Sequence, residues 1–181
     1  MTSTATEGRI TSGVWTLDPV HSAVGFELPY LAGTFKGTFR ETSGRLTVED
    51  GHGRLEGTAQ VASVDVKDEN LSQHLQSPDF FDAQQFPELR FSADDVALDR
   101  ETVKARGEIT IKGVTKEIDV EGTASAPMTD GFGNERFGLQ LTAVVDRTEF
   151  GLNWNMELPS GEPSLPNEVR IVTDLQFVKE S

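Results

Sequence analysis

The chain has 181 residues and no cysteine, with 16 Lys and Arg against 30 Asp and Glu, a formal net charge of −14. That length suits one domain with a substantial core, and the missing thiols exclude disulfides, thiolate nucleophiles, Cys-ligated zinc and iron–sulfur clusters. An acidic excess uninterrupted by any basic cluster repels phosphate backbones and anionic membrane surfaces, so nucleic acid is not an expected partner.

The first stretch, 1–13, is small and polar, with Glu7 and Arg9 as its only charged side chains. It has no basic region followed by an apolar one, so it does not read as a signal peptide, and no window approaches the roughly 20 apolar residues of an integral membrane segment. The expected organisation is a flexible segment 1–13 followed by one domain over 14–181, in a cytoplasmic setting.

From there the dominant period is two, the signature of strands with one buried and one wet face. Strands are predicted at 14–18, 21–29, 33–49 and 53–65, the third carrying Gly33, Gly37 and Gly44 where a long strand turns a barrel corner. The period then breaks at Asp68–Ser77, where Leu71 and Leu75 stand four apart, acids open the segment and Pro78 ends it; this predicts a short amphipathic helix. Phe80, Phe81 and Phe86 follow it as a dense aromatic patch for a connecting loop. Further strands are predicted at 87–98, 102–112, 115–126, 135–147 and 167–178. The alternation is cleanest where Val103, Ala105, Gly107, Ile109 and Ile111 interleave with Lys104, Arg106, Glu108, Thr110 and Lys112. Asp50-Gly51, Lys112-Gly113, Asp130-Gly131 and Gly133-Asn134 mark turns, and the Pro-rich run 159–166 reads as a loop before the last strand.

Short, regular spacing makes this an all-β antiparallel meander, which limits its exposed edges by closing into a barrel or folding into a sandwich. Ala59, Val61, Ala93, Ala105, Gly107, Gly122, Ala124 and Ala143 occupy inward positions. So small a lining either leaves room for an elongated apolar ligand or is filled by large residues from opposite strands, and alternation leaves both open.

No catalytic signature stands out. The histidines, His21, His52 and His74, are far apart in sequence and fit no metal-binding or nucleophile-elbow spacing. His52 belongs to a turn, His21 opens a strand where it can bond backbone, and His74 on the helix faces either solvent or a cavity mouth. The carboxylates, including Asp94-Asp95 and the Asp79/Asp82 pair, have the look of a solvated acidic face. The eleven phenylalanines say more: they are core fillers singly, and clustered beside loops they can gate an apolar tunnel.

Several segments, in order, resemble one family. Trp15-Thr16-Leu17-Asp18-Pro19-Val20-His21-Ser22-Ala23-Val24-Gly25-Phe26, Gly33-Thr34-Phe35-Lys36-Gly37-Thr38-Phe39 and Ser43-Gly44-Arg45-Leu46 resemble the opening of the YceI-like, polyisoprenoid-binding, lipocalin-like proteins. The likeness is strongest at His74-Leu75-Gln76-Ser77-Pro78-Asp79-Phe80-Phe81-Asp82 and Phe86-Pro87-Glu88-Leu89-Arg90-Phe91. It continues through Gly107-Glu108-Ile109-Thr110-Ile111-Lys112-Gly113-Val114-Thr115 to Asp146-Arg147-Thr148-Glu149-Phe150-Gly151-Leu152. The resemblance implies an extended eight-stranded antiparallel lipocalin-like barrel with one short inserted helix and a long apolar tunnel. It implies a long-chain lipid partner such as a polyisoprenoid or isoprenoid quinone, no cofactor, no catalysis in the fold itself, and a homodimer as a common assembly. The chain departs from many relatives in lacking a histidine within Phe26–Ala32 and in carrying Gln76 where they have Arg, which points to a quinone or neutral head over a pyrophosphate.

The expected ligand-binding residues are Val24, Phe26, Phe39, Phe80, Phe81, Phe91 and Phe150 on the tunnel wall, with His21 and His74 as head-group contacts. A chain of about 20 carbons at roughly 0.3 kcal/mol per heavy atom gives on the order of 6 kcal/mol, tens of micromolar, so apolar burial alone can hold such a ligand. Two other readings are an enzyme using His21 or a carboxylate as general base inside the barrel, and an interaction module with a closed barrel.

Overall fold

The structure, a computed structural model, describes residues 10–98 and 100–181. In chain order it forms β1 (Gly13–Leu17), β2 (Ala23–Tyr30), β3 (Gly33–Phe39), β4 (Thr42–Glu49), β5 (His52–Gln60), β6 (Val64–Asp65) and α1 (Glu69–Gln76). There follow β7 (Glu88–Ala97), β8 (Thr102–Ile111), β9 (Val114–Ala124), β10 (Met128–Thr129), β11 (Glu135–Asp146) and β12 (Glu168–Lys179).

Alternation places these strands as expected. Along β8, Val103, Gly107, Ile109 and Ile111 are buried, while Thr102, Lys104, Arg106 and Glu108 are exposed. The tight hairpins fall on the residues that tolerate left-handed backbone: Asp50-Gly51 between β4 and β5 (φ 52° and 80°), and Lys112-Gly113 between β8 and β9 (φ 51° and 78°). Two adjacent positive φ values give the turn whose twist matches the flanking strands.

Antiparallel pairing runs β1–β4–β5–β7–β8–β9–β11–β12 and returns from β12 to β1, closing a barrel of 8 strands. The long strands expected over 33–49 and 53–65 are each interrupted, at Arg40–Glu41 and at the short 3₁₀ turn Val61–Ser63. β1 and β2 are likewise two segments of one line, since both pair with the same edge of β12, through Phe177–Lys179 and Arg170–Asp174. The three breaks lie side by side and are stitched by Arg40 N to Ser63 O (3.1 Å) and Gln60 N to Glu41 O (2.9 Å). Above them β2, β3 and β6 continue the wall as a flap, and α1 follows from its outer strand.

The interior is two cores in series. At one end, Trp15 meets Phe137 edge-on at 5.1 Å, Phe137 stacks on Phe177 at 5.7 Å, and Leu46, Val96, Leu98, Val103 and Leu139 complete a solid plug. Ile10 is buried in the same plug, so the domain includes at least that residue of the segment expected to be flexible; residues 1–9 of that segment lie outside the described residues. At the other end the core is a ring of Phe39, Ala59, Leu75, Phe80, Ile109, Ile111, Val145, Phe150 and Leu152. This ring surrounds space and does not fill it. The filled and hollow interiors left open by the sequence therefore coexist, one at each end.

Candidate functional site

The hollow is a cavity of about 340 Å³ whose wall is almost wholly apolar. Such a volume lies within the usual range of ligand pockets, about 300–1,000 Å³. Its floor is the top of the plug, at Leu17, Leu175 and Phe177. One side is an aromatic cluster: Phe26 lies 5.9 Å from Phe39 and 6.4 Å from Phe81, and Phe39 lies 5.8 Å from Phe81, centroid to centroid. The Phe26 ring has this place because residue 37, opposite it on β3, is glycine; a Cβ there would come within 2.4 Å of the ring. The other side is Val145, Phe150, Leu152, Val169 and Ile171.

The mouth is dressed by α1 and the loop after it. Asp68 caps the helix by accepting a hydrogen bond from the Leu71 amide (2.9 Å), and Ser77 Oγ bonds the His74 carbonyl (2.6 Å) at its end. With both ends fixed, the helix turns Leu75 into the core and leaves Leu71 at the rim; Leu71 and Tyr30, both in the wall, are partly solvent-exposed. The loop then folds back, with Phe81 N bonded to Leu75 O (3.0 Å), and delivers Phe80 and Phe81 to the wall.

Of the residues expected at the site, Val24, Phe26, Phe39, His74, Phe80, Phe81, Phe91 and Phe150 all line this cavity. His74 is half-buried there, its ring edge-on to Phe80 (5.1 Å) and Trp154 (5.0 Å) and its Nε2 3.2 Å from Asp79. His21 is elsewhere. It stands in the turn after β1, largely exposed, with Nδ1 2.7 Å from Asp18, and the wall does not include it. The Asp18-Pro19 turn interrupts the strand and swings the histidine off the inward face, a deflection that parity counting misses. Gln76, too, is not among the residues of the wall.

Reading by period also missed Trp154 and Arg147. Trp154 belongs to an aperiodic segment, 151–166, where alternation gives no orientation. Arg147 follows β11 in a 3₁₀ turn (Arg147–Phe150) capped by Asp146, whose carboxylate accepts from the Thr148 hydroxyl (2.5 Å) and amide (2.9 Å). Those two bonds hold the Asp146 carboxyl below its usual range. The Arg147 side chain is buried at 6% exposure and reaches into the wall. Its Nε donates to Pro166 O (2.8 Å) and its Nη1 to Leu152 O (2.6 Å) and Trp154 O (2.8 Å). It thereby pins the 151–166 loop to the barrel. Burial depresses its pKa, but a guanidinium titrates so high that it stays charged.

Among the described residues, no cluster of His, Asp and Glu has the geometry to hold a metal ion. The arrangement is a mostly apolar chamber, with Arg147 and His74 among its few polar wall residues.

The comparisons agree with this fold. The family model described as YceI-like domain matches residues 15–177. A UPF0312 protein of Staphylococcus aureus (strain USA300) is 30% identical over 173 residues, covering 90% of this chain and 96% of that one. Among solved structures, BcnA of Burkholderia cenocepacia superposes with a TM-score of 0.72 at 22% identity, covering 88% of this chain and 98% of BcnA. A domain of Saccharophagus degradans described as polyisoprenoid-binding and implicated in plant cell wall breakdown superposes with a TM-score of 0.71 at 14% identity, over 92% of this chain and 98% of that one. These two likenesses are of fold.

Proposed function

The chain belongs to the YceI-like family, and from that premise we propose that it binds a long-chain amphiphilic lipid, with an isoprenoid the first class to test, inside the cavity between its two cores. The observation that carries this reading is the contrast between the two ends: the same barrel is packed solid around Trp15, Phe137 and Phe177 and hollow within the Phe26, Phe39 and Phe81 cluster. Voids in protein interiors are costly because their walls forgo dispersion contacts. A ligand chain restores those contacts, and each buried methylene adds up to about 0.8 kcal/mol. The rings lining the wall suit a branched, flexible chain. The description polyisoprenoid-binding, attached to a protein of the same fold, sets the order in which ligands are tried.

The proposed role is binding without catalysis. A general base at His21 is poorly placed for chemistry in the chamber, because that ring lies outside the wall and is engaged by Asp18. The test is to extract freshly purified protein with organic solvent, analyse the extract by mass spectrometry, and record the native mass of the intact protein. A stoichiometric long-chain lipid is the expected result. No copurifying lipid, together with no uptake of added isoprenoids, would refute the reading.

A further inference from the structure

Among the described residues Arg147 is the one buried cation in the chamber wall, and it makes no salt bridge there. Among the described residues no carboxylate lies within ion-pair distance of its guanidinium; Asp146, the acid next to it in sequence, turns its carboxylate onto Thr148 instead. The acceptors it does have are three neutral carbonyls, from Pro166, Leu152 and Trp154, reached by Nε and Nη1. Nη2 makes no hydrogen bond to any described residue. Yet no buried side-chain nitrogen or oxygen among the described residues is both sealed off and without a partner, so Nη2 opens onto accessible space. Arg147 is only 6% exposed and is one of the residues of the cavity wall, which puts the cavity beside it.

A buried charge with no ion-pair partner is a costly arrangement, because desolvation is offset by neutral dipoles and by a carboxylate that stays out of contact. An anion seated at Nη2 removes that cost and adds a short charge-assisted hydrogen bond. We propose that Arg147 is the head-group seat of this cavity, and that the preferred ligand is an anionic amphiphile, a carboxylate or phosphate on an apolar chain. The proposal rests on the binding reading above and narrows it. The chain lies against the Phe26, Phe39 and Phe81 cluster, while the head turns toward the pole that Arg147 shares with His74 and Trp154. Recognition is local: the net charge of −14 offers no long-range attraction for an anion. A buried contact of this kind is also little affected by salt.

Three ligands with the same chain separate the ideas: farnesol, farnesoic acid and farnesyl monophosphate, titrated by calorimetry near neutral pH at low salt and in about 0.5 M NaCl. We expect the acid, the phosphate or both to bind at least about tenfold more tightly than farnesol, with the preference kept at high salt. Which of the two anions is tighter tells carboxylate from phosphate. Arg147→Gln should abolish the preference while farnesol still binds. Arg147 also anchors a loop, so a variant that fails to fold is replaced by the wild-type protein labelled with ¹⁵N. There the Arg147 Nε–H resonance should move with farnesoic acid and not with farnesol. Equal affinity for all three ligands overturns the seat and leaves the cavity reading standing. A preference that survives Arg147→Gln or leaves the Arg147 resonance unmoved overturns the assignment to Arg147. Failure of all three to bind overturns the binding reading itself.

Discussion

Two phenylalanines at opposite ends of the barrel should behave differently when truncated. Phe137 is 2% exposed, sits edge-on to Trp15 at 5.1 Å and stacks on Phe177 at 5.7 Å, with packing on every side. Phe137→Ala removes a fully enclosed ring from a plug that cannot collapse around the gap, so the loss is about 3–5 kcal/mol. In a chain of this size that corresponds to a melting temperature lower by roughly 10 °C. Phe81 touches Phe26 and Phe39 on one side and borders the cavity on the other. Phe81→Ala enlarges an existing space and creates no new one, so the loss is that of two aromatic contacts and part of one transfer term, about 1–2 kcal/mol. Ligand binding reverses the order: roughly three- to tenfold weaker for the Phe81 variant, where about 1 kcal/mol of chain contact disappears, and near wild type for the Phe137 variant. Urea unfolding of ligand-free protein and displacement of a fluorescent long-chain probe measure the two effects. Equal stability losses, or a Phe81 variant that binds the chain as well as wild type, would refute the division into a packed and a hollow end.

Other consequences follow from single positions. Gly122→Ala would set a Cβ 1.6 Å from the Gln140 carbonyl oxygen, in the short stretch where β9 and β11 pair; a loss of about 3 kcal/mol or more in urea unfolding is expected, with the barrel opening at that seam. Asp68→Ala removes the helix cap at the mouth and should cost about 1 kcal/mol while raising the ligand dissociation rate in stopped-flow displacement. The Asp18 carboxyl is held below its usual range first by the His21 hydrogen bond, and Asp146 by Thr148. A carboxyl with a depressed folded pKa contributes stability that is complete above the unfolded value near 3.9 and is lost as pH falls through the folded one. Unfolding free energy should therefore be level above that pH and decline below it, and Asp146→Asn should flatten the acid limb.

The strands, hairpins and helix were legible because each is fixed by neighbours in sequence. Residues two apart share a face, Asp-Gly and Lys-Gly accept positive φ, and Leu71 and Leu75 share one side of a capped helix. Parity likewise chose Phe26, Phe39 and Phe91 for the interior, and all three lie along the cavity wall. Parity fails wherever the chain leaves the strand: the turn at Asp18 carries His21 outward, and the 151–166 loop hides the inward placement of Trp154. Arg147 shows the boundary most clearly. By composition it is an ordinary cation next to an acid in an acidic protein. Its burial, its lack of a salt bridge among the described residues and its place on the cavity wall depend on Leu152, Trp154 and Pro166 arriving from a later loop, and on Asp146 turning to Thr148. Local alternation settles which face of a strand is apolar, but whether facing walls touch or leave room depends on how distant segments meet. That closure made one end of this barrel a plug and the other a chamber.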